Sequence, residues 1–178
     1  MGSVGKETNW YVITGAPSSG KTSVIRKLEG LGYRVVHEVA RARIEEALKK
    51  GRKLAEIKAD ALIFEQHILD RKIDIEASLP KDAVIFFDRA VPDSIAYFKL
   101  EGLNPAECLE KSKIVRYRKV FLFDRLVFEK DPVRSENNAI AIKLEHLIES
   151  SYSMLGYNIL RVPVLSITQR TEFILQCL

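Results

Sequence analysis

Short, nearly unbroken apolar runs alternate along this chain with longer stretches in which apolar residues recur every three or four positions. The runs cover residues 10–14, 34–37, 83–87, 119–123 and 157–162. They are rich in β-branched and aromatic residues and too short for helices, so each predicts a strand, the first buried on both faces. Helical patterning fills the gaps. It runs over 23–29, stopped by Gly30 and Gly32, and over 38–50, stopped by Gly51. A long stretch over 54–78 places Ile57, Ala61, Phe64, Ile68 and Ile75 on one face, and Pro80 closes it. Further helices are predicted over 92–100, 105–112 and 139–155, the last with Ile140, Leu144, Leu147 and Leu155 on one stripe. A final helix begins near Ile167, where Ser166 and Gln169 have capping-box spacing. Strands alternating with helices predict an α/β fold with a parallel sheet. No repeat, low-complexity tract or linker interrupts the pattern, and 178 residues predict one domain spanning 1–178.

Charge changes this picture little. The net charge of +4 is too small to point to nucleic acid as a partner, which needs a concentrated basic face, but it suits a polyanionic small molecule. Cys108 and Cys177 stand far apart and in no metal-ligand spacing, so a disulfide framework is not expected and a cytoplasmic location is. No run of about 18 apolar residues predicts a membrane span, and the N-terminus has no signal-peptide core.

The strongest chemical signal directly follows the first strand: Gly15-Ala16-Pro17-Ser18-Ser19-Gly20-Lys21-Thr22, leading into Ser23 and a helix. Gly15 allows a tight turn, and Gly20 lets the backbone approach a ligand without a Cβ in the way. Successive N–H groups, with the positive end of the following helix, form a cradle for phosphates. In this pattern Lys21 reaches the β- and γ-phosphates and Thr22 offers its hydroxyl to Mg²⁺, so ATP is expected here, with GTP possible.

Asp88 ends the third strand after four apolar residues, the placement of a carboxylate aimed at Mg²⁺ or its water; a helix cap is the plainer alternative. Arg89 follows and either holds a substrate anion or makes a structural ion pair. Glu38 ends the second strand at the same sheet edge. It either takes a proton from an acceptor hydroxyl or serves as a cap or partner for Arg41 or Arg43. His37 reads as a packed core histidine. Residues 111–134 carry eight basic side chains (Lys111, Lys113, Arg116, Arg118, Lys119, Arg125, Lys130, Arg134) against three acidic ones. The polar segment at about 125–138, with Asp131-Pro132-Val133-Arg134 inside it, predicts a lid that closes over phosphates; Arg134 is the candidate cation. The alternative is a solvated loop.

Taken together, the Gly15-to-Thr22 run, Glu38 with Arg41, the stretch Phe87-Asp88-Arg89-Ala90-Val91-Pro92-Asp93-Ser94-Ile95-Ala96-Tyr97 and residues 131–136 resemble the AAA-type predicted ATPase/kinase family of P-loop NTPases. That family groups with nicotinamide-riboside kinase domains and, more distantly, is similar to thymidylate and deoxynucleoside kinases. The resemblance implies a three-layer, kinase-like five-stranded sheet in the order 2-3-1-4-5 with a short lid. The first functional expectation is a small-molecule kinase, with Mg²⁺-ATP in the loop and an acceptor hydroxyl or phosphate lying between Glu38, Arg41, Arg89 and Tyr97. A nucleotide-dependent switch and a slow NTPase without an acceptor are the competing expectations. A Ras-type switch is disfavoured because no Asn-Lys-x-Asp run is present.

Overall fold

The structure is a computed structural model and describes residues 5–126 and 138–178. Its elements in chain order are β1 (Lys6–Glu7), β2 (Trp10–Thr14), α1 (Lys21–Gly30), β3 (Arg34–Val36), α2 (Val39–Lys49), α3 (Leu54–Ile57) and α4 (Ala61–Ser78). Then follow β4 (Ile85–Asp88), α5 (Asp93–Leu100), α6 (Ala106–Lys111), β5 (Val115–Arg116), β6 (Lys119–Phe123), α7 (Asn138–Met154), β7 (Ile159–Val162) and α8 (Ile167–Leu175).

The main sheet is parallel throughout, in the order β3-β4-β2-β6-β7. Counting only the strands predicted from sequence, this is 2-3-1-4-5. The small parallel pair β1–β5 was not expected. Alternation along the central strands buries both sheet faces. Trp10, Val12, Phe87, Val120 and Leu122 pack toward α5 and α7, where Leu144, Ile148 and Tyr152 meet them. Tyr11, Ile13, Phe86, Phe121 and Phe123 pack toward α1 and α8, against Val24, Ile25, Leu28 and Ile174. The result is three layers, with all strand C-termini on one edge.

Three local expectations need correction. The long helix is two helices: the Asp60 side chain accepts from Ile63 N at 2.9 Å and starts a new helix there. The inward stripe of α7 is Ala141, Leu144, Ile148 and Tyr152, while Ile140 is exposed, because Tyr152 is drawn in to hydrogen-bond Asp93 on α5. His37 is exposed and meets Glu29 at 3.1 Å, because the short edge strand β3 ends before it.

α4 also buries charge. Glu65, Lys72 and Glu76 lie on its inward face with Leu69, each under a tenth exposed. Glu76 Oε1 accepts from Tyr117 OH at 2.6 Å and from Val91 N at 3.4 Å. Burial pushes its carboxyl up to about 7, against the smaller opposing effect of those hydrogen bonds. A carboxyl raised on folding binds more protons in the native state than in the unfolded one. Its stabilising contribution is therefore complete below its ordinary pKa and fades as pH rises through 7. Glu76→Gln keeps an acceptor for Tyr117 and removes the titration. Between about pH 5 and 8 its unfolding midpoint should fall less with pH than that of the parent protein, as measured by urea denaturation at several pH values.

Candidate functional site

The sheet edge at the strand C-termini collects the loop after β2, Asp88 and Arg89 after β4, Glu38 after β3, and the turns after β6 and β7. This is where ligands bind in open α/β sheets, because diverging loops leave a crevice there.

The 15–22 loop is tightly wound. Gly15 has φ +139° and presses on β6: a Cβ there would lie 2.8 Å from Phe123 O. Ser18 takes the left-handed conformation at φ +62°, uncommon for a residue with a side chain. Gly20 begins α1 at φ +84°, with no side chain to cap the helix and no acidic residue in its first turn. Those helix N–H groups thus meet no competing carboxylate, which suits an incoming anion. Lys21 is buried and curls across the loop, donating to Ala16 O at 2.8 Å and Ser19 Oγ at 3.1 Å. Burial first, then nearby Arg89, lowers its pKa to about 7, while Asp88, Glu38 and Asp93 pull the other way. A polyphosphate beside it would favour the charged ammonium.

Thr22 Oγ1 lies 3.3 Å from Asp88 Oδ2. Asp88 Oδ1 is fully buried with no hydrogen-bond partner among the described residues. Burial raises the Asp88 pKa, with Lys21 opposing. A hydroxyl and a carboxylate side by side, one carboxylate oxygen without a partner, fit a divalent cation or its water, a hard ion that takes oxygen ligands. The helix-cap alternative for Asp88 does not hold, since α5 starts five residues later.

Arg89 joins Glu38 and Asp93 across the strand edge. Its backbone turns left-handed at φ +67°. Its N–H still continues the ladder to Ile13 O at 3.1 Å. The buried guanidinium meets Glu38 Oε1 through Nε at 3.1 Å, lies 3.8 Å from Asp93 Oδ1 through Nη1, and sits over the Tyr97 ring at 5.3 Å. Nη1 has no hydrogen-bond partner among the described residues. Glu38 is the N-cap residue of α2, yet its side chain makes no cap and faces Arg89 instead. Burial would raise its pKa, but Arg89, Lys21 and Arg41 outweigh that and hold it ionised below the ordinary range. Arg41 is exposed on α2 and acts on Glu38 only through its charge.

Asp93 was quoted above only within the family-like run and given no role. It is fully buried, accepts from Thr14 Oγ1, from Tyr152 OH at 2.6 Å and from Ala90 N at 2.9 Å, and balances Arg89. One signal was available: an acid placed directly after a proline at a helix start. Asp93→Ala would strand all four partners and should cost about 3–5 kcal/mol of unfolding free energy, measured by denaturant titration. Lys72, bonded to Ser94 Oγ at 3.1 Å, and Glu65 also went unnoticed, because charged positions on a helix usually face water.

Of the eight basic residues counted over 111–134, Lys111, Lys113, Arg116, Arg118 and Lys119 lie at or before the start of β6, at the sheet edge opposite the loop. Arg116, for example, donates to Leu155 O and Gly156 O. They therefore take no part in covering the site. Arg125 bonds Asn138 Oδ1. Lys130, Asp131 and Arg134, and with them most of the expected lid, lie outside the described residues. A surface cavity of about 630 Å³ lies on α7 beside Ala139, Ile142 and Leu147. It has no convergent charged groups from several elements, so the strand edge is the better candidate site. Among the described residues, no helix is long and apolar enough to cross a membrane.

Fold and loop together define a kinase-like P-loop NTPase. The chain belongs to a family described as "AAA domain", whose profile matches residues 10–170. No curated protein matches it by sequence. Among solved structures, thymidylate kinase from Ehrlichia chaffeensis superposes with a TM-score of 0.68 at 13% identity, over 97% of this chain and 98% of that one. Deoxyadenosine kinase from M. mycoides, with dCMP and dCDP bound, gives 0.62 at 17% identity over 94% and 97%. NadR protein in complex with NR gives 0.64 at 15% identity over 89% of this chain and 43% of that one. At these identities the likeness is one of fold.

Proposed function

We propose that this protein is a Mg²⁺-ATP-dependent small-molecule phosphotransferase of the nucleoside- or nucleotide-kinase type. The observation that carries the reading is the Glu38–Arg89–Asp93 cluster built beside the phosphate-type loop. A switch or simple NTPase needs the loop but has no use for a buried cation-carboxylate group next to it. The thymidylate and deoxyadenosine kinases among its structural neighbours support the same class.

In this reading the amides of residues 15–23 and the Lys21 ammonium hold and neutralise the polyphosphate. Thr22 and Asp88 would hold the metal, which when bound spreads the charge developing on the transferring group. Arg89, fixed by Glu38, Asp93 and Tyr97, presents Nη1 to an oxygen of the acceptor. Glu38 orients the acceptor hydroxyl and takes its proton. Its lowered pKa suits orientation more than strong basicity, which is enough where the transition state is loose. Arg134 is proposed as the lid cation over residues 125–138.

Acceptor-dependent ADP release from Mg²⁺-ATP, followed across nucleosides, nucleoside monophosphates and pyridine ribosides, tests the proposal. ADP release independent of every acceptor would favour an NTPase instead, and tight binding without release a switch. Repeating the panel with GTP sets the base preference. Glu38→Gln should lower acceptor-dependent turnover about 10²- to 10⁴-fold while leaving ATP affinity within about twofold.

A further inference from the structure

We infer that Arg170, on α8, is a positioning residue that locks the phosphate loop from behind and so makes the nucleotide grip depend on the docking of the C-terminal helix. The inference rests on the loop being a polyphosphate site.

The local sequence places Arg170. Ser166 caps α8: its hydroxyl accepts from Gln169 N at 3.2 Å, and its own N–H donates to Gln169 Oε1 at 3.1 Å. That box fixes the first turn, and Arg170 follows with its N–H on Ser166 O at 3.0 Å. α8 then packs Ile174 into the cluster that holds Val24, Ile25 and Leu28 of α1, the helix that springs from the loop. Lys27 Nζ reaches Thr168 Oγ1 at 2.6 Å and adds a second tie between these helices.

Arg170 is only 2% exposed. Its fork is spent on main-chain carbonyls from three separate loops: Nε on Pro163 O at 2.9 Å, Nη1 on Ser19 O at 2.5 Å and Nη2 on Asp124 O at 3.4 Å. Its guanidinium lies over the Phe123 ring, 4.9 Å from the centroid. It makes no ion pair with any described residue. Asp124 is the carboxylate that acts on it, and only through its charge, so burial stays costly and carbonyl dipoles offset only part of the cost. The arrangement is best explained by what it does to the loop. A peptide unit is planar and trans, so the Ser19 carbonyl and the Gly20 N–H point in opposite directions. Holding Ser19 O against Arg170 turns the Gly20 N–H away from the guanidinium, toward the side where the cradle lies. The same contact limits what Gly20 can be, since a Cβ there would stand 3.1 Å from Arg170 Nη1. The charge behind the loop also adds to the attraction for an anion in front of it.

Lysine cannot span three carbonyls with one ammonium, so Arg170→Lys keeps the charge and loses the fork. In Arg170→Lys, the amides of Ser18, Ser19, Gly20 and Lys21 should exchange hydrogen about tenfold faster, while amides of β2 and α7 keep their rates. Affinities for ATP and for inorganic tripolyphosphate should fall by a common factor of about ten. Loop exchange and both affinities unchanged would overturn the inference. A loss confined to ATP, with tripolyphosphate unaffected, would also overturn it by placing Arg170 on the base. A further measurement uses the unaltered protein, so it does not depend on a variant folding. Tripolyphosphate should slow amide exchange in α8, since coupling between loop and helix is reciprocal; unchanged α8 exchange on saturation sinks the proposal. If the unaltered protein bound neither polyphosphate, the nucleotide reading would fail, and with it the inferred grip. The exchange comparison would then show separately whether Arg170 holds the loop.

Discussion

Replacing Lys21 with alanine is expected to abolish thermal stabilisation by Mg²⁺-ATP. Lys21 Nζ is the cation held at the centre of the loop, buried and spanned between Ala16 O and Ser19 Oγ. Truncating one partner of a desolvated charge contact costs about 3–5 kcal/mol, or roughly two to four orders of magnitude in affinity. At a hundredfold excess over its dissociation constant, a ligand adds about 2.7 kcal/mol to stability. That corresponds to roughly 5–10 °C in a domain of this size. A loss of about 300-fold in affinity reduces the same addition to about 0.2 kcal/mol, below 1 °C. Differential scanning fluorimetry with and without Mg²⁺-ATP reads the difference directly. An unaltered shift in Lys21→Ala would show that nucleotide binds elsewhere, and the kinase reading would go with it.

Asp88→Asn should separate stability from turnover. The side chain keeps its shape and an oxygen for Thr22, but loses the charge. Because Asp88 Oδ1 is buried without a partner and burial raises its pKa, the carboxylate is a liability to the free protein. The variant should melt a few degrees higher in EDTA, as expected when a functional charge is neutralised. Its Mg²⁺-dependent turnover should fall about a thousandfold, roughly 4 kcal/mol of charge stabilisation at the transition state. Turnover that survives, with an ordinary magnesium dependence, would remove Asp88 from the metal site.

The parts of the site that lay in one stretch of chain were legible from residues alone. The 15–22 loop needs glycines, a lysine and a hydroxyl at fixed spacing, and strand and helix flank it as the pattern requires. Asp88 was legible because a buried strand delivers its last residue to the sheet edge. Glu38 and Arg89 were expected around one acceptor, but their direct ion pair was not foreseen. Either could have capped a helix or faced water, and only the adjacency of β3 and β4 brings them to 3.1 Å. The count of eight basic residues over 111–134 overstated the charge near the site, because a count along the chain carries no direction. A strand carries its first and last residues to opposite sides of the sheet.

What the sequence determined by itself was periodicity and local chemistry: strands alternating with helices, their parallel order through family resemblance, and a loop shaped for phosphate. These follow from short-range rules of backbone geometry and side-chain spacing. Only the tertiary structure decided which charges are buried and with whom. Asp93, Lys72, Glu76 and Arg170 look like surface residues in one dimension, yet each is under a tenth exposed. Each bonds at least one partner that stands between 22 and 151 residues away along the chain. Burial of charge depends on how layers close over one another, and no local pattern encodes that.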